Sequence, residues 1–180
     1  RNQIRNESEN IADLGKLDEY QGMGTTLEAL VMQEGQVISA HVGDSRTYLI
    51  RDGQLQKITT DHSLVQELVD AGQITEEEAE IHPNKNIITR SLGQSAEVQA
   101  DLQAVDVQPG DYLLMNSDGL TNMISSEEIL EVVYSDASIE EKTEILVGLA
   151  NEAGGHDNIT VILVKIDEES AVVNEDVEVD

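Results

Sequence analysis

Three tight turns decide most of what this chain can become. Glu34-Gly35-Gln36, Gly43-Asp44-Ser45-Arg46 and Asp52-Gly53 cut the stretch from Thr25 to Ile58 into pieces too short for helices. Those pieces are Thr25–Met32, Val37–Val42, Thr47–Ile50 and Leu55–Ile58, and they read as strands. Asp-Gly is a strong hairpin signal, because both central positions of such a turn need φ > 0. The expectation is a short meander.

The character changes after Asp61. Ser63 opens a helix carrying Leu64, Leu68 and Val69, and Gly72 stops it. Thr75 followed by Glu78 has capping-box spacing. Pro83 breaks any helix and Gly93 marks a further turn, so residues 64–94 read as a flap inserted between two sheet regions. Strand character returns over Val98–Val107, turns at Pro109-Gly110-Asp111 and resumes over Tyr112–Asn116. Two helices follow, capped by Ser125 and Ser138. The first carries Ile129, Val132 and Val133 on one face, and the second Ile145, Leu146, Leu149 and Ala150. Ile159–Ile166 is a β-branched final strand. At the start, Arg1–Leu17 carries Ile4, Ile11 and Leu14 at helical spacing and reads as an amphipathic helix. Asp167–Asp180 is acidic and aperiodic, and is expected to be a disordered tail. Helices grouped between strands predict two packed sheets with helices against an outer face.

Composition narrows the functions open to such a fold. The 180 residues fit one domain. There is no Cys, which excludes disulfides and thiolate metal sites. With no Phe and no Trp, the core must be aliphatic, and stacking platforms for single-stranded nucleic acid are nearly absent. A net charge of -27 leaves no basic footprint for nucleic acid or for an anionic membrane. No apolar run approaches the ~18 residues that would point to a membrane-spanning helix. If the chain acts on phosphate groups, bound cations are the obvious source of positive charge.

Asp44, Asp118 and Asp157 each sit in a Gly-containing loop at the edge of an apolar strand. Carboxylates without Cys and with few His favour hard cations such as Mg2+ or Mn2+. Taken singly, each Asp is explained by turn formation, and spacing alone does not make them a metal site.

The ordered set of sequence words is more specific. Gly22-Met23-Gly24-Thr25-Thr26 is followed by Ala40-His41-Val42-Gly43-Asp44-Ser45-Arg46, Thr60-Asp61-His62-Ser63 and Arg90-Ser91-Leu92-Gly93. Asn116-Ser117-Asp118-Gly119-Leu120 and Gly155-His156-Asp157-Asn158-Ile159-Thr160 complete it. From Gly22 to Ile166 this series resembles the PPM (type 2C) family of metal-dependent serine/threonine protein phosphatases, in its bacterial single-domain branch. The resemblance implies an α+β fold, a four-layer α-β-β-α sandwich with antiparallel sheets. It implies one phosphatase domain over residues 1–166, with the flap at about 64–94 and the acidic tail at 167–180.

The resemblance also implies a site. Asp118 and Asp157 match catalytic ligands of a two-metal centre for Mn2+ or Mg2+. Asp44 matches a carboxylate that, with Asp118, holds a third ion in bacterial members. Gly119 and Asn158 match neighbours that shape these loops, and His82, Asn86 and Arg90 fall in the flap near substrate. The implied reaction is hydrolysis of phosphoserine and phosphothreonine in proteins through a metal-activated water. The implied partners are phosphorylated proteins and a cognate Ser/Thr kinase, in the cytoplasm, with no nucleic acid and no membrane. Of the histidines, His41 reads as structural, His62 matches a family position without assigned chemistry, His82 reads as flap surface, and His156 adjoins Asp157.

The family pattern includes an upstream Arg that clamps phosphate and an Asp-Gly-Met-Gly-Gly metal motif, and neither stands in this sequence. The chain therefore reads as the C-terminal part of a longer enzyme, with the N-terminal part missing, and as inactive by itself. Two other readings stand beside the enzyme. One is a non-catalytic PPM-like regulatory or phosphoprotein-binding domain. The other is a generic acidic cation-binding module, which would not depend on Asp118 or Asp157 in particular.

Overall fold

The computed structural model describes residues 2–33, 35–95 and 97–168. Glu34 of the first expected turn, Arg1 of the expected N-terminal helix, and residues 169–180 of the expected tail lie outside the described residues. The chain divides into two compact units. Among the described residues, one holds 2–29, 40–46, 59–95 and 97–102; the other holds 30–33, 35–39, 47–58 and 103–168.

The second unit shows how the alternating sequence pattern becomes layers. Strands β3 (Arg46–Arg51), β4 (Gln54–Lys57), β6 (Tyr112–Asn116) and β7 (Val161–Lys165) form a sheet in the order β4-β3-β6-β7. β4 runs antiparallel to β3, and β7 runs antiparallel to β6. The β3–β4 hairpin turns at Asp52 (φ 51°) and Gly53 (φ 73°), the left-handed pair that its Asp-Gly sequence predicts.

Successive side chains point to opposite faces of this sheet. Tyr48, Ile50, Tyr112, Leu114 and Leu163 lie on one face. They pack with Ile129, Val132 and Val133 of α5 (Ser126–Val133) and with Leu146 and Ala150 of α6 (Ile139–Glu152). Leu49, Leu113 and Val164 lie on the other face. They pack with Val37 of β2 (Gln36–Val42), Leu30 of β1 (Leu27–Gln33) and Val105 of β5 (Asp101–Asp106). Strands β1, β2 and β5 form the second sheet, in the order β1-β2-β5. Within the second unit, the sheet thus lies between a helix-side core that includes Tyr48 and Tyr112, where the composition led to an aliphatic one, and a second core that is wholly aliphatic. The α+β class with antiparallel pairing is the one expected from the sequence.

Both helices start as their sequences predict. Ser125 and Ser138 each accept from the backbone N–H three residues on, and Glu128 and Glu141 return the bond to the cap. One expectation for α6 is corrected. Ile145 is 41% exposed, and Lys142 is buried in its place. The Lys142 ammonium lies 5.3 Å from the Tyr112 ring centroid, so its stem is buried and its charge meets an aromatic face.

In the first unit, α1 (Asn2–Leu14) is fastened through Ser8, a fully buried polar residue. Its hydroxyl donates to the Ser95 carbonyl (2.8 Å) and accepts from Gly93 N–H (3.1 Å). Leu14, expected on the apolar stripe of that helix, is 45% exposed. The expected flap contains α2 (Leu64–Asp70) and α3 (Glu76–Glu80), the latter opened by the Thr75–Glu78 capping box. Isolated bridges Ser63↔Ile88 and Thr25↔Leu92 tie its ends.

Candidate metal and phosphate site

Within the second unit, two loops carry the expected ligands and are laced together. β6 ends at Asn116, and Ser117 caps the four-residue helix α4 (Asp118–Thr121). A capping Ser normally accepts from its own helix. The Ser117 hydroxyl instead donates to the Asn158 carbonyl (3.0 Å) and accepts from Thr160 N–H (3.0 Å). Ser117 N–H donates to the Thr160 carbonyl at 3.1 Å. Gly119 completes the junction, because a Cβ there would lie 2.5 Å from the Asn158 oxygen. The backbones of the Asp118 and Asp157 loops are therefore held in contact.

The two carboxylates differ in setting. Asp118 is half-buried at the first turn of α4, where Asn122 Nδ2 donates to its Oδ2 (3.1 Å). Asp157 is exposed, and its Oδ1 accepts from the Asn158 N–H at 2.7 Å. Asp44, the third expected ligand, belongs to the first unit, in the corner between β2 and β3. There Thr26 and Ser45 hydroxyls meet at 2.7 Å. Of the histidines, His156 is exposed beside Asp157. His41 and His62 are buried in the first unit, with ring centroids 4.6 Å apart.

The donors present suit a hard cation: Asp118 and Asp157 offer only oxygen, on loops whose spacing is fixed. Among the described residues no three His, Asp or Glu side chains form a complete metal cage. That is compatible with Mg2+-type sites, which use one or two carboxylates and fill the remaining positions with water and substrate phosphate.

Sequence reasoning found the two Asp loops but missed Ser117 as the residue that joins them. The available signal was a Ser at a strand-to-helix junction, which reads as an ordinary cap. It matched His62 to a family position but assigned it no role.

The chain has relatives among known proteins. A family model described as protein phosphatase 2C matches residues 1–158. The chain is 57% identical over 165 residues to protein phosphatase PhpP of Streptococcus pneumoniae serotype 2, covering 92% of this chain and 67% of the relative. Among solved structures, the S. agalactiae serine/threonine phosphatase superposes with a TM-score of 0.88 at 51% identity, covering 91% of this chain and 68% of that one. The catalytic domain of the phosphatase PstP, solved in complex with 2 manganese ions, gives a TM-score of 0.80 at 38% identity, covering 91% and 68%. The chain thus spans about two thirds of the length of the proteins it matches. With its ordered motifs, its joined Asp loops and these relatives, the chain belongs to the protein phosphatase 2C family.

Proposed function

We propose that the native protein hydrolyses phosphoserine and phosphothreonine in proteins, using Mn2+ or Mg2+ held in part by Asp118 and Asp157. The observation that carries this reading is the lacing of their two loops through Ser117. Asp44 is proposed as a ligand of a further ion, and residues 1–166 as one phosphatase domain. The setting proposed is the cytoplasm, with a Ser/Thr kinase supplying the substrates. Among the described residues no helix is long and apolar enough to cross a membrane.

The chain's own groups have definite tasks in this reaction. Asp118 and Asp157 supply negative oxygen ligands from a rigid frame, and Asn122 orients the Asp118 carboxylate. Ser117 and Gly119 keep the spacing of the two loops constant. When bound, divalent cations at such carboxylates lower the pKa of water and offset phosphoryl charge. Water adds to phosphorus, the ester P–O bond breaks, and the Ser or Thr hydroxyl and inorganic phosphate are released.

The test is turnover of a phosphothreonine peptide by the native protein with Mn2+ and with chelator. Turnover abolished by chelator is expected; metal-independent turnover would remove the mechanism. Binding of the phosphopeptide with no turnover under any cation would favour a non-catalytic phosphoprotein-binding domain instead.

A further inference from the structure

Gly43, the residue before Asp44, is held on both sides by a single partner. Its N–H donates to His62 Nδ1 (2.9 Å), and its carbonyl accepts from the His62 backbone N–H (2.7 Å). Gly43 has φ 115°, and a Cβ there would lie 2.3 Å from Thr26 Cγ2. No side chain can replace it, and its conformation sets the direction in which the chain delivers Asp44.

His62 is itself fixed. Gly43 N–H can only donate, so Nδ1 is the acceptor and the proton sits on Nε2. Nε2 donates to Asp101 Oδ2 (3.1 Å), and Arg90 donates to Asp101 Oδ1 (2.7 Å). Asp101 therefore selects the tautomer that Gly43 needs, as outer carboxylates do for ligand histidines. Burial pushes the His62 imidazole below its ordinary pKa, outweighing the Asp101 hydrogen bond that would raise it. This keeps the Nδ1 lone pair available. The His41 ring stacks on His62 at 27°, and is anchored through Nε2 to the Thr60 carbonyl (3.0 Å) and through Nδ1 to Glu28. The His62 ring is thus confined on one face, at one nitrogen by Asp101 and at the other by Gly43.

We infer that His62, with its tautomer set by Asp101, is a positioning residue that holds the Asp44 carboxylate in place through Gly43. This rests on the reading of Asp44 as a cation ligand. Neither His62 nor Asp101 touches the ion or the substrate in this role. The His62 carbonyl accepts from Thr89 N–H (2.8 Å), so the flap segment is also tied to the residue that clamps the Asp44 corner.

The experiment uses two readouts on the native protein: hydrogen exchange of the Gly43 amide with chelator present, and Mn2+ affinity by calorimetry. An Asn side chain places an acceptor near the Nδ1 position, whereas Gln reaches only toward Nε2. His62→Gln should therefore speed Gly43 exchange about tenfold and weaken the Asp44-dependent Mn2+ site by a similar factor, the scale of one lost hydrogen bond. His62→Asn should keep both within about threefold of the parent. In an Asp44→Asn background, His62→Gln should change Mn2+ affinity no further, since the group being positioned is gone.

Unchanged Mn2+ affinity in His62→Gln, or an equal extra loss in the Asp44→Asn background, would overturn the inference while leaving Asp44 as a ligand. If Asp44→Asn itself leaves Mn2+ binding unchanged, the ligand reading and the inference fall together. Should His62→Gln not fold, Asp101→Leu carries the test. Its side chain is 56% exposed, and its loss frees the His62 proton to move to Nδ1. Faster Gly43 exchange and weaker Mn2+ binding are expected there too, and no change in either would overturn the proposal.

Discussion

A methyl group at Gly119 would sit 2.5 Å from the Asn158 carbonyl oxygen, and that atom is backbone, which cannot swing away. Gly119→Ala should therefore push the two Asp loops apart and cost about 1–3 kcal/mol, the usual range for overpacking. Urea denaturation measures the stability loss, and the accompanying fall in turnover measures the displacement. At Asp118 the expected effect is on chemistry. Asp118→Asn keeps the shape but removes the charge of a proposed ligand, so kcat/KM should fall by more than the ~10–100-fold typical of lost outer-shell partners. Asp44→Asn should be the milder change, because Asp44 is proposed to serve only the further ion. Steady-state kinetics across a Mn2+ titration check both, and parent-like activity of Asp118→Asn would remove it from the site.

The elements follow local rules where local rules are strong. The Ser125 and Ser138 caps, the Thr75–Glu78 capping box and the Asp52-Gly53 turn formed as read, because each is decided within a few residues. Ser138→Ala should cost about 1 kcal/mol by thermal or chemical denaturation. Deeper in the same layer, Leu114 is fully buried between sheet and helices, and Leu114→Ala should cost about 2–5 kcal/mol. What the sequence could not display were contacts set by tertiary packing. Lys142 is buried because the Tyr112 ring lies within reach of its ammonium, and Ile145 is left at the margin. Asp118 and Asp157 were visible as Gly-flanked turns with a family pattern. Their joining was not, because Ser117 meets Asn158 across 41 positions of sequence. The four-residue helix at Asp118 was likewise too short to show periodicity.

At the scale of the whole molecule, charge dominates the response to conditions. With 37 acidic and 10 basic side chains, the folded protein repels itself. Raising salt from about 0.01 M to about 0.3 M shortens the screening length from ~30 Å to below 10 Å. The melting temperature should rise over that range, and a flat profile would show that the repulsion is already relieved. Acid acts through a particular pair. Burial alone would raise the Asp111 carboxyl, but hydrogen bonds from Arg51 (2.6 Å) and Gln108 N–H (2.8 Å) outweigh it and hold it below its ordinary value. A depressed folded pKa stabilises above the unfolded value, near 3.9, and that contribution is lost as pH falls through the folded one. The contribution of this pair to the urea midpoint should accordingly hold above about pH 5 and fall below about pH 4. Arg51→Leu should flatten part of that fall.

The Ser117 junction also bears on ancestry and on engineering. A hydroxyl that gives its proton to one strand's approach and takes one from the same approach ties residues 117–120 and 157–160 into a single heritable unit. Recombination between relatives that splits this unit would join a loop to a stranger. Exchanges that carry both stretches together should yield working chimeras far more often than exchanges of either alone.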